Sequence, residues 1–371
     1  MSTAISVMLA AGGTGGHLFP AFALAEEFAR RGIAVDLITD MRGDRYGSGF
    51  PARKIYQVPA ATLASKSPIA AAKTALALAR GTKAAHKILG GVRPAVVVGF
   101  GGYPTFPPLL AARMRGIPTV LHEQNAVLGR ANRMLAKRVS GIATSFEAIK
   151  YLDGDLNAKA EFTGNPVRQS VIDASAVPYP ALLPGSDIHL LVFGGSQGAR
   201  YFSDVMPLAL TKLPVETRSR LRVTQQAREE DIARVRQSYA ASGITAEVAT
   251  FFKDLPARMA ASHVVIGRAG ASTVAELTVV GRPGLLVPLP HALDNDQLNN
   301  ARRLAESGGG WCIEQKNLSP ERMAAEIQRL VAAPATLAAA AGAAKRAGRP
   351  DAVVRLADFA LAMAAQGRRA A

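Results

Sequence analysis

A strand, a glycine-rich turn and a helix open the chain, spelled ISVMLAAGGTGGHLFP over residues 5–20. The apolar run Ile5–Ala10 predicts a buried strand, and an amphipathic helix is predicted from Pro20 to Arg31, where Gly32 ends it. Ile33–Thr39 predicts the next strand. Short apolar runs that alternate with helices are typical of a parallel sheet covered by helices on both faces. The opening therefore predicts a doubly wound α/β fold.

The same pattern returns in the second half of the chain. Ile188–Phe193 is again an apolar run, and GGSQGAR follows it at residues 194–200. Prolines cluster between the halves, within residues 173–187, which is typical of a linker. Other apolar runs predict further strands at Ala95–Val98, Pro118–His122, Gly141–Thr144, Val264–Gly267 and Gly284–Pro288. We therefore predict one Rossmann-like domain over residues 1–170, a second over 171–348, and a terminal helix over 349–371 that packs back on the first.

The composition is that of a globular protein. The chain has 371 residues, of which 49% are hydrophobic and 19% charged, and its length suits two domains of about 100–200 residues each. Its single cysteine, Cys312, excludes a disulfide framework and favours a reducing compartment. We interpret this thiol as a small buried hydrophobe rather than a nucleophile. Because no His/Cys cluster indicates zinc, the sequence predicts neither a metal nor a cofactor.

The net charge predicts an anionic partner. Lys and Arg number 44 against 28 acids, which gives a charge of +16. Nucleic acid, anionic lipid and a phosphorylated substrate all fit this charge. Aromatic residues are only 6% of the chain and form no basic platform for stacking bases, so nucleic acid is disfavoured. The stretch 94–112 is broken by Gly and Pro, and no basic segment opens the chain, so we expect neither a membrane span nor a signal peptide.

Three glycine-rich turns follow predicted strands, at residues 12–16, 99–102 and 194–198. Such a turn lets backbone N–H groups approach an anion, and the helix that follows adds partial positive charge. Together they predict binding in a cleft between the two halves. The dinucleotide fingerprint fits poorly because Leu18 stands at its third glycine, although Asp36 or Asp40 keeps that alternative open. A Walker loop is absent, since Gly-Lys-Ser/Thr follows none of these turns.

Seven motifs resemble the MurG family of glycosyltransferases. They occur in the family's order and are specific as a set: GGTGGHLFP at 12–20, GFGGY at 99–103, HEQN at 122–125, GNPVR at 164–168, GGSQGAR at 194–200, RAGASTVAE at 268–276 and DQ at 296–297. The resemblance implies two Rossmann-like domains facing a cleft, the GT-B architecture. It also implies an inverting transfer of N-acetylglucosamine from UDP-GlcNAc to the C4 hydroxyl of the muramoyl sugar of lipid I, which forms lipid II for peptidoglycan synthesis.

The resemblance also implies roles for single residues. His17 is the candidate base, with Glu123 as the second choice, and the positive end of the helix that follows would keep His17 neutral. An alternative is that His17 only donates a hydrogen bond to an acceptor phosphate. Glu276 would hold the ribose hydroxyls, although a favourable charge in a first helical turn is the other interpretation. The remaining UDP-GlcNAc contacts are expected from Thr14, Gly15, Gly16, Asn125, Arg168, Ser196, Phe252, Ala271, Ser272, Thr273 and Gln297.

Two of these positions carry open questions. Asp296 stands where several family members have a glutamine, which leaves one sugar-hydroxyl contact undecided. Phe252 falls where the family places a hydrophobic residue beside the uracil, but a Phe is equally at home in a core.

A basic helix predicts contact with a membrane surface. No acidic residue lies between Asp44 and Glu123, and Ser67-Pro68 is typical of a helix start, for a helix that extends to about Leu89. Its contact residues would be Lys66, Ile69, Lys73, Leu76, Arg80 and Lys87, which share one stripe. Each base near an anionic leaflet contributes about 1 kcal/mol. We therefore expect a peripheral protein on the cytoplasmic face of the cell membrane; an ordinary solvated helix is the alternative.

Two other classes of function stay open on the sequence alone. One is a nucleotide-sugar epimerase or dinucleotide oxidoreductase on a similar scaffold. The other is a basic lipid- or nucleic-acid-binding module, which the ordered glycine turns and Glu276 argue against.

Overall fold

Parallel strands form two sheets in the described part of the chain, which in this computed structural model comprises residues 5–12, 15–40, 49–61 and 67–370. The chain divides into two compact units. The first is Met1–Arg168 together with Pro350–Ala371, and the second is Gln169–Arg349. These limits lie within two residues of the predicted ones.

The first sheet has the strand order β3-β2-β1-β4-β5-β6-β7. Its strands are β1 Ser6–Ala10, β2 Ala34–Thr39, β3 Lys54–Gln57, β4 Val96–Gly99, β5 Thr119–Glu123, β6 Gly141–Thr144 and β7 Ala160–Phe162. In register, Val7 pairs with Val35 on one side and with Val96 on the other. The order reverses at β1, so β1 and β4 flank a topological switch point, where such sheets bind ligands at the carboxyl ends of their strands.

The second sheet repeats this plan with the order β10-β9-β8-β11-β12-β13. Its strands are β8 Ile188–Phe193, β9 Leu221–Gln226, β10 Thr245–Ala249, β11 Val264–Gly267, β12 Gly284–Leu286 and β13 Gly310–Cys312. The order reverses at β8, and β8 and β11 therefore flank its switch point.

Helices cover both faces of each sheet. Those of the first unit are α1 Gly15–Arg30, α2 Pro68–Val92, α3 Phe106–Met114 and α4 Arg130–Ala136. Those of the second are α5 Gln169–Ala174, α6 Gly195–Thr211, α7 Val215–Arg218, α8 Glu229–Ala241, α9 Leu255–Ala261, α10 Ala271–Val280, α11 Asp296–Glu306, α12 Pro320–Val331 and α13 Pro334–Ala347. The last helix, α14 Ala352–Ala370, returns to the first unit.

Alternate side chains of β1 enter two different cores. Val7 and Leu9 pack with Phe28 of α1 and Leu356 of α14, whereas Met8 packs with Leu89 of α2 on the opposite face. All six are fully buried. This alternation follows from the two-residue period of a strand.

The first helix begins five residues earlier than the sequence predicts. It starts at Gly15 and contains Pro20, the predicted first residue. Proline lacks the N–H that would bond to the carbonyl four residues back, but the helix keeps its remaining bonds across this position. As a consequence, His17 lies inside the first helical turn.

The basic helix α2 runs three residues beyond its predicted end near Leu89. Pro68 occupies its first turn, and Arg93 ends it in a left-handed conformation, with φ of 49°. Gly81 in its middle has a specific reason, because a Cβ there would collide with the carbonyl of Pro59. The glycine thus permits the close approach of the loop before α2.

A buried guanidinium fixes the segment that enters the second unit. Arg282 is 1% exposed and donates to the carbonyls of Val177, Pro178 and Ala260. Burial lowers its pKa to about 10. Charged groups are rarely buried unless hydrogen bonds satisfy them, as here.

Within the described residues, no single helix has both the length and the apolar character needed to cross a bilayer. The helical segments 320–331 and 334–367 pass that test only as a pair bent by 89°.

Candidate active site

Glycine turns follow the strands that flank each switch point. Residues 12–16 follow β1, 99–102 follow β4, 194–198 follow β8, and 268–271 follow β11. The predicted ligand-binding turns therefore lie at the position in each sheet where ligands of this fold class bind. Gly13 and Thr14 lie outside the described residues, as does the side chain of Ser196.

His17 stands over the glycine turn that follows β4. A Cβ on Gly102 would lie 3.3 Å from His17 Nε2, and one on Gly101 would lie 3.5 Å from its Cε1. Both glycines have a positive φ, 83° at Gly101 and 72° at Gly102, which other residues rarely adopt. Small residues are thus required where the imidazole approaches the backbone, and Gly16 beside it is exposed.

The ring of His17 is held by the side chain of Gln124. Its Nδ1 lies 3.0 Å from Gln124 Oε1. Burial lowers the pKa of His17, while its hydrogen bonds to Gln124 and to the Phe100 backbone oppose that shift. Desolvation disfavours imidazolium, so the ring is neutral at neutral pH.

Glu123 uses both carboxylate oxygens to organise the loop after β5. Its Oε1 accepts from the backbone N–H and side-chain amide of Asn125, at 2.9 and 3.2 Å. Its Oε2 accepts from the N–H of Gly129 at 2.9 Å and from Asn132 Nδ2 at 2.6 Å. Burial raises its pKa, and these four bonds oppose the shift because each requires an acceptor. The geometry gives Glu123 a structural task that competes with a role as base.

The motif at 164–168 ends the first unit and contains one buried polar side chain, Asn165, and the half-buried Arg168. The guanidinium of Arg168 stacks 4.9 Å from the ring centroid of Phe19 in α1. Asn165 is 5% exposed, and its amide has no hydrogen-bond partner among the described residues. The carbonyl of Gly164 accepts from His122 Nε2 at 3.0 Å. This bond joins residues 164–168 to the carboxyl end of β5, the strand followed by Gln124, the partner of His17.

In the second unit, two helices begin at glycine turns without a side-chain cap. Gly194 precedes α6 and Gly270 precedes α10, and neither cap position supplies a side-chain hydrogen bond. Ala271, Ser272 and Thr273 form the first turn of α10, where buried Ser272 Oγ has no partner among the described residues. Uncapped N–H groups at a helix start favour an anion.

Arg268 fixes the backbone around that turn. Its guanidinium donates to the carbonyls of Val287 and Pro288 and to Gln315 Oε1, at 3.1, 3.2 and 2.7 Å. It also stacks against Tyr201, 5.0 Å from the ring centroid. Arg268 thus supports the site, a role that the sequence did not reveal although its motif contains the residue.

Glu276 is the sixth residue of α10 and is 8% exposed. The attraction between a carboxylate and a helix N-terminus falls off within the first turn. Glu276 lies beyond that turn, so a favourable charge at the helix start does not explain its position. The ribose-binding role stays a prediction.

Gln297 joins the loop before α10 to the loop after β12. Its Oε1 accepts from the N–H groups of Ala269 and Leu289, at 3.2 and 3.0 Å. These two bonds fix the orientation of the side-chain amide, and its nitrogen makes no hydrogen bond to the described residues. The nitrogen can therefore donate to a sugar hydroxyl.

Asp296 is the first residue of α11, and its carboxylate binds the next backbone N–H. Its Oδ1 accepts from the backbone N–H of Gln297 at 2.7 Å. Burial raises its pKa, this bond opposes the shift, and the charge of Asp294 adds to it. Asp294 and Asn295 both have positive φ, so strained backbone precedes the position.

Two neighbouring aromatics follow β10. Phe252 is 7% exposed, and the guanidinium of Arg258 lies 4.4 Å from its ring centroid. Phe251 beside it is 68% exposed. Phe251 was not among the predicted site residues, because the exposure of one aromatic in an FF pair is decided by the local backbone direction.

The described bases of the stripe lie exposed on α2. They are Lys73, Arg80 and Lys87, and Leu76 among them is 52% exposed. Lys87 also lines an open cavity of about 630 Å³ together with Arg53, Lys54 and Tyr56. Lys66 and the side chain of Ile69 lie outside the described residues.

No group of three or more His, Cys, Asp or Glu side chains within the described ranges is arranged to hold a metal ion.

Comparison with known proteins defines the class to which this fold and site belong. Residues 7–144 match the family described as the glycosyltransferase family 28 N-terminal domain, and residues 189–356 match the family 28 C-terminal domain. Among solved structures, the chain is similar to MurG of Acinetobacter baumannii, with a TM-score of 0.78 and 27% identity over 96% of this chain and 99% of that one.

The relatives narrow this class. The chain is 54% identical to the UDP-N-acetylglucosamine–N-acetylmuramyl-(pentapeptide) pyrophosphoryl-undecaprenol N-acetylglucosamine transferase of Methylobacterium sp. (strain 4-46), over 95% of each chain. It is 53% identical to the protein of the same name from Mesorhizobium japonicum, over 97% of this chain and 96% of that one. The chain therefore belongs to the MurG family of glycosyltransferases, and the predicted GT-B class is confirmed.

Fold similarity extends to other enzymes. The UDP-GlcNAc 2-epimerase of Neisseria meningitidis, solved with UDP-GlcNAc, has a TM-score of 0.66 at 13% identity, over 96% of this chain and 100% of that one. At this identity the likeness shows a shared fold alone.

Proposed function

We propose that this protein transfers N-acetylglucosamine from UDP-GlcNAc to the C4 hydroxyl of the muramoyl sugar of lipid I, with inversion at the anomeric carbon, to form lipid II. The observation that supports the chemistry best is His17, a half-buried imidazole whose pKa is lowered by desolvation and whose Nε2 faces the glycine turn at a switch point. The similarity over nearly the whole chain to N-acetylglucosamine transferases, at 54% and 53% identity, supports the choice of donor and acceptor.

The proposed reaction is a single displacement. The C4 hydroxyl of the acceptor gives its proton to His17 Nε2 as its oxygen attacks the anomeric carbon of the donor sugar. A C–O bond forms on one face of that carbon while the bond to UDP breaks on the other, and the electron pair leaves with UDP. A positioned base contributes about 10²–10⁴-fold to such a step.

His17 suits the role of base better than Glu123. Three of the four hydrogen bonds to Glu123 hold the loop that carries Asn125 and the fourth comes from Asn132 of α4, so a carboxylate that gave up those bonds would release the loop. We infer that Glu123 places Asn125 for a sugar hydroxyl, and that Gly15 and Gly16 with Thr14 complete the first-unit contacts.

We assign the donor nucleotide chiefly to the second unit. Glu276 would accept from the ribose hydroxyls, and Gln297 would donate its free amide N–H to the sugar. The diphosphate would be held by Ser196 and by the first turn of α10, Ala271–Thr273, with Arg168 from the first unit pairing with its charge. Phe252 would pack beside the uracil. Hydrogen-bond donors that stabilise the departing UDP lower the barrier of the same step.

We further propose that the first unit meets the cytoplasmic face of the cell membrane, where the acceptor lipid is anchored. The exposed bases of α2 with Leu76 between them support this docking. The basic cavity beside Lys87 offers room for a phosphate head group. Each base near an anionic leaflet would contribute about 1 kcal/mol.

The donor assignment is tested by changing Glu276 to Ala. Removing hydrogen bonds to a charged group costs roughly 1.5–3 kcal/mol, so we expect the KM for UDP-GlcNAc to rise about 10–150-fold. Steady-state kinetics with a water-soluble acceptor measures this. Glu229→Ala, which removes an exposed acid from α8, is the matched control and should leave KM unchanged. An unchanged KM in Glu276→Ala would remove Glu276 from the donor site.

A further inference from the structure

A chain of side-chain hydrogen bonds runs from His17 into the interior of the first unit. His17 Nδ1 lies 3.0 Å from Gln124 Oε1, and Gln124 Nε2 lies 2.9 Å from His122 Nδ1. His122 Nε2 lies 3.0 Å from the carbonyl oxygen of Gly164. His122 and Gln124 are 0% and 2% exposed. The family motifs contain these residues but assign no task to the hydrogen bonds that join them.

At the His17 end of this series of hydrogen bonds, a backbone carbonyl fixes which atom donates and which accepts. Gln124 Nε2 lies 3.1 Å from the carbonyl oxygen of His122, which can only accept. That amide atom must therefore be the nitrogen, and the oxygen of the same amide must face His17. An amide oxygen also only accepts, so the proton between them belongs to His17 Nδ1.

The other end has the same direction for an independent reason. The carbonyl oxygen of Gly164 can only accept, so His122 Nε2 carries a proton. In neutral His122 the other nitrogen, Nδ1, is then an acceptor for the amide of Gln124. Burial lowers the pKa of His122 to about 4, which keeps this ring neutral at neutral pH. The carbonyls of His122 and Gly164 thus determine the donor and the acceptor in each of the bonds that join His17, Gln124, His122 and Gly164.

From this geometry we propose that Gln124 and His122 are positioning residues that hold the proton of neutral His17 on Nδ1, so that Nε2 receives the acceptor proton. The Phe100 backbone, which also stabilises the protonated ring, then favours the imidazolium that forms. The inference rests on the proposed role of His17 as base. The tautomer of a catalytic imidazole is set by the bond that its other nitrogen makes. After the proton transfer, Nδ1 still donates to Gln124, which also stabilises the imidazolium.

The test replaces Gln124 by Met, which keeps the length of the side chain and removes both hydrogen-bonding groups. In protein labelled with ¹⁵N-histidine, long-range ¹H–¹⁵N correlation distinguishes a protonated ring nitrogen from an unprotonated one. The six histidines include His17, whose signals are assigned by their loss in His17→Ala. We expect protonated Nδ1 and unprotonated Nε2 for His17 in the parent, and a mixture of tautomers in Gln124→Met.

Kinetics accompany the spectra. Because a base contributes about 10²–10⁴-fold, loss of its correct tautomer should lower kcat of Gln124→Met at least about 10-fold, with the KM for UDP-GlcNAc unchanged. Gln124→Glu supplies an oxygen that can again accept from Nδ1. That variant should restore the parent tautomer and recover part of kcat. A merely structural role would move neither the tautomer nor kcat selectively.

The outcomes separate the two ideas. If His17→Ala keeps the parent kcat, then His17 is not the base and both ideas fall. If His17→Ala loses activity while the parent carries its proton on Nε2, or while Gln124→Met keeps the parent tautomer and kcat, then the base stands and the positioning role is overturned. Unchanged UDP-GlcNAc binding by Gln124→Met checks that the variant is folded.

Discussion

Adjacent residues at the end of β5 perform different tasks because each meets different partners. His122 points to a backbone carbonyl, Glu123 meets four N–H donors, and Gln124 links two imidazoles. All three are at least 98% buried. Burial makes every unpaired polar atom costly, so the loop is specified closely by its hydrogen bonds. Asn125 and His17, which we assign to substrate, are oriented by this buried layer.

The pH dependence of turnover follows from the pKa of His17. A base acts only in its neutral form, and turnover falls as the pH drops through its pKa. Because burial lowers the pKa of His17 below the ordinary value of about 6.5, kcat should be level from pH 8 to 6.5 and fall only at lower pH. Neighbouring His122 titrates near 4 and stays neutral over this range.

A kcat–pH profile at saturating concentrations of UDP-GlcNAc and soluble acceptor measures this. An acidic limb centred at or above pH 6.5 would contradict a half-buried, neutral His17.

At the level of elements, the strands were the easiest to predict. The strands at 188–193 and 264–267 have the predicted bounds, because parallel strands buried on both faces are continuous apolar runs. The start of α1 was misplaced because Pro20 is a typical first-turn residue, and only the packing of Leu18 and Phe28 shows that the helix begins earlier.

The candidate site was predictable only in part. His17, Glu276 and Gln297 could be named because family motifs contain them. The hydrogen-bond chain from His17 could not, since its first bond joins residues 107 positions apart. The bonds from Arg268 to the carbonyls of residues 287 and 288 could not be predicted for the same reason, because sequence spacing does not reveal contacts between distant loops.

The docking role of α2 gives a prediction for that element. The four stripe bases, Lys66, Lys73, Arg80 and Lys87, are changed together to Gln. At about 1 kcal/mol for each base near the surface, binding to vesicles with anionic lipid should fall by more than about 100-fold. Turnover of a water-soluble acceptor should be preserved, while turnover of lipid-borne acceptor should fall. Co-sedimentation with vesicles measures the binding.

The control carries the same loss of charge in the second unit, by changing Arg302, Lys316, Arg322 and Arg346 to Gln. This variant should still bind, apart from a small effect of net charge. Equal binding by the stripe variant and the parent would show that α2 is an ordinary solvated helix.

Across the whole molecule, one plan is used twice with different side chains. Each unit has a parallel sheet whose order reverses beside two glycine turns. The turns of the first unit carry a half-buried imidazole, whereas those of the second carry a buried carboxylate and the amide of Gln297. A base suits an acceptor hydroxyl, and hydroxyl-binding groups suit a nucleotide sugar. This difference supports a division of tasks between acceptor and donor.

The linkage in the product distinguishes an inverting transfer of N-acetylglucosamine from other reactions of UDP-GlcNAc. Purified protein is incubated with UDP-GlcNAc, which has an α-linked sugar, and a soluble analogue of lipid I, and the product is examined by proton NMR. We expect UDP release that requires the acceptor and a disaccharide with a β linkage to the C4 oxygen. An α-linked product, or conversion of UDP-GlcNAc to its 2-epimer without transfer, would contradict an inverting transfer.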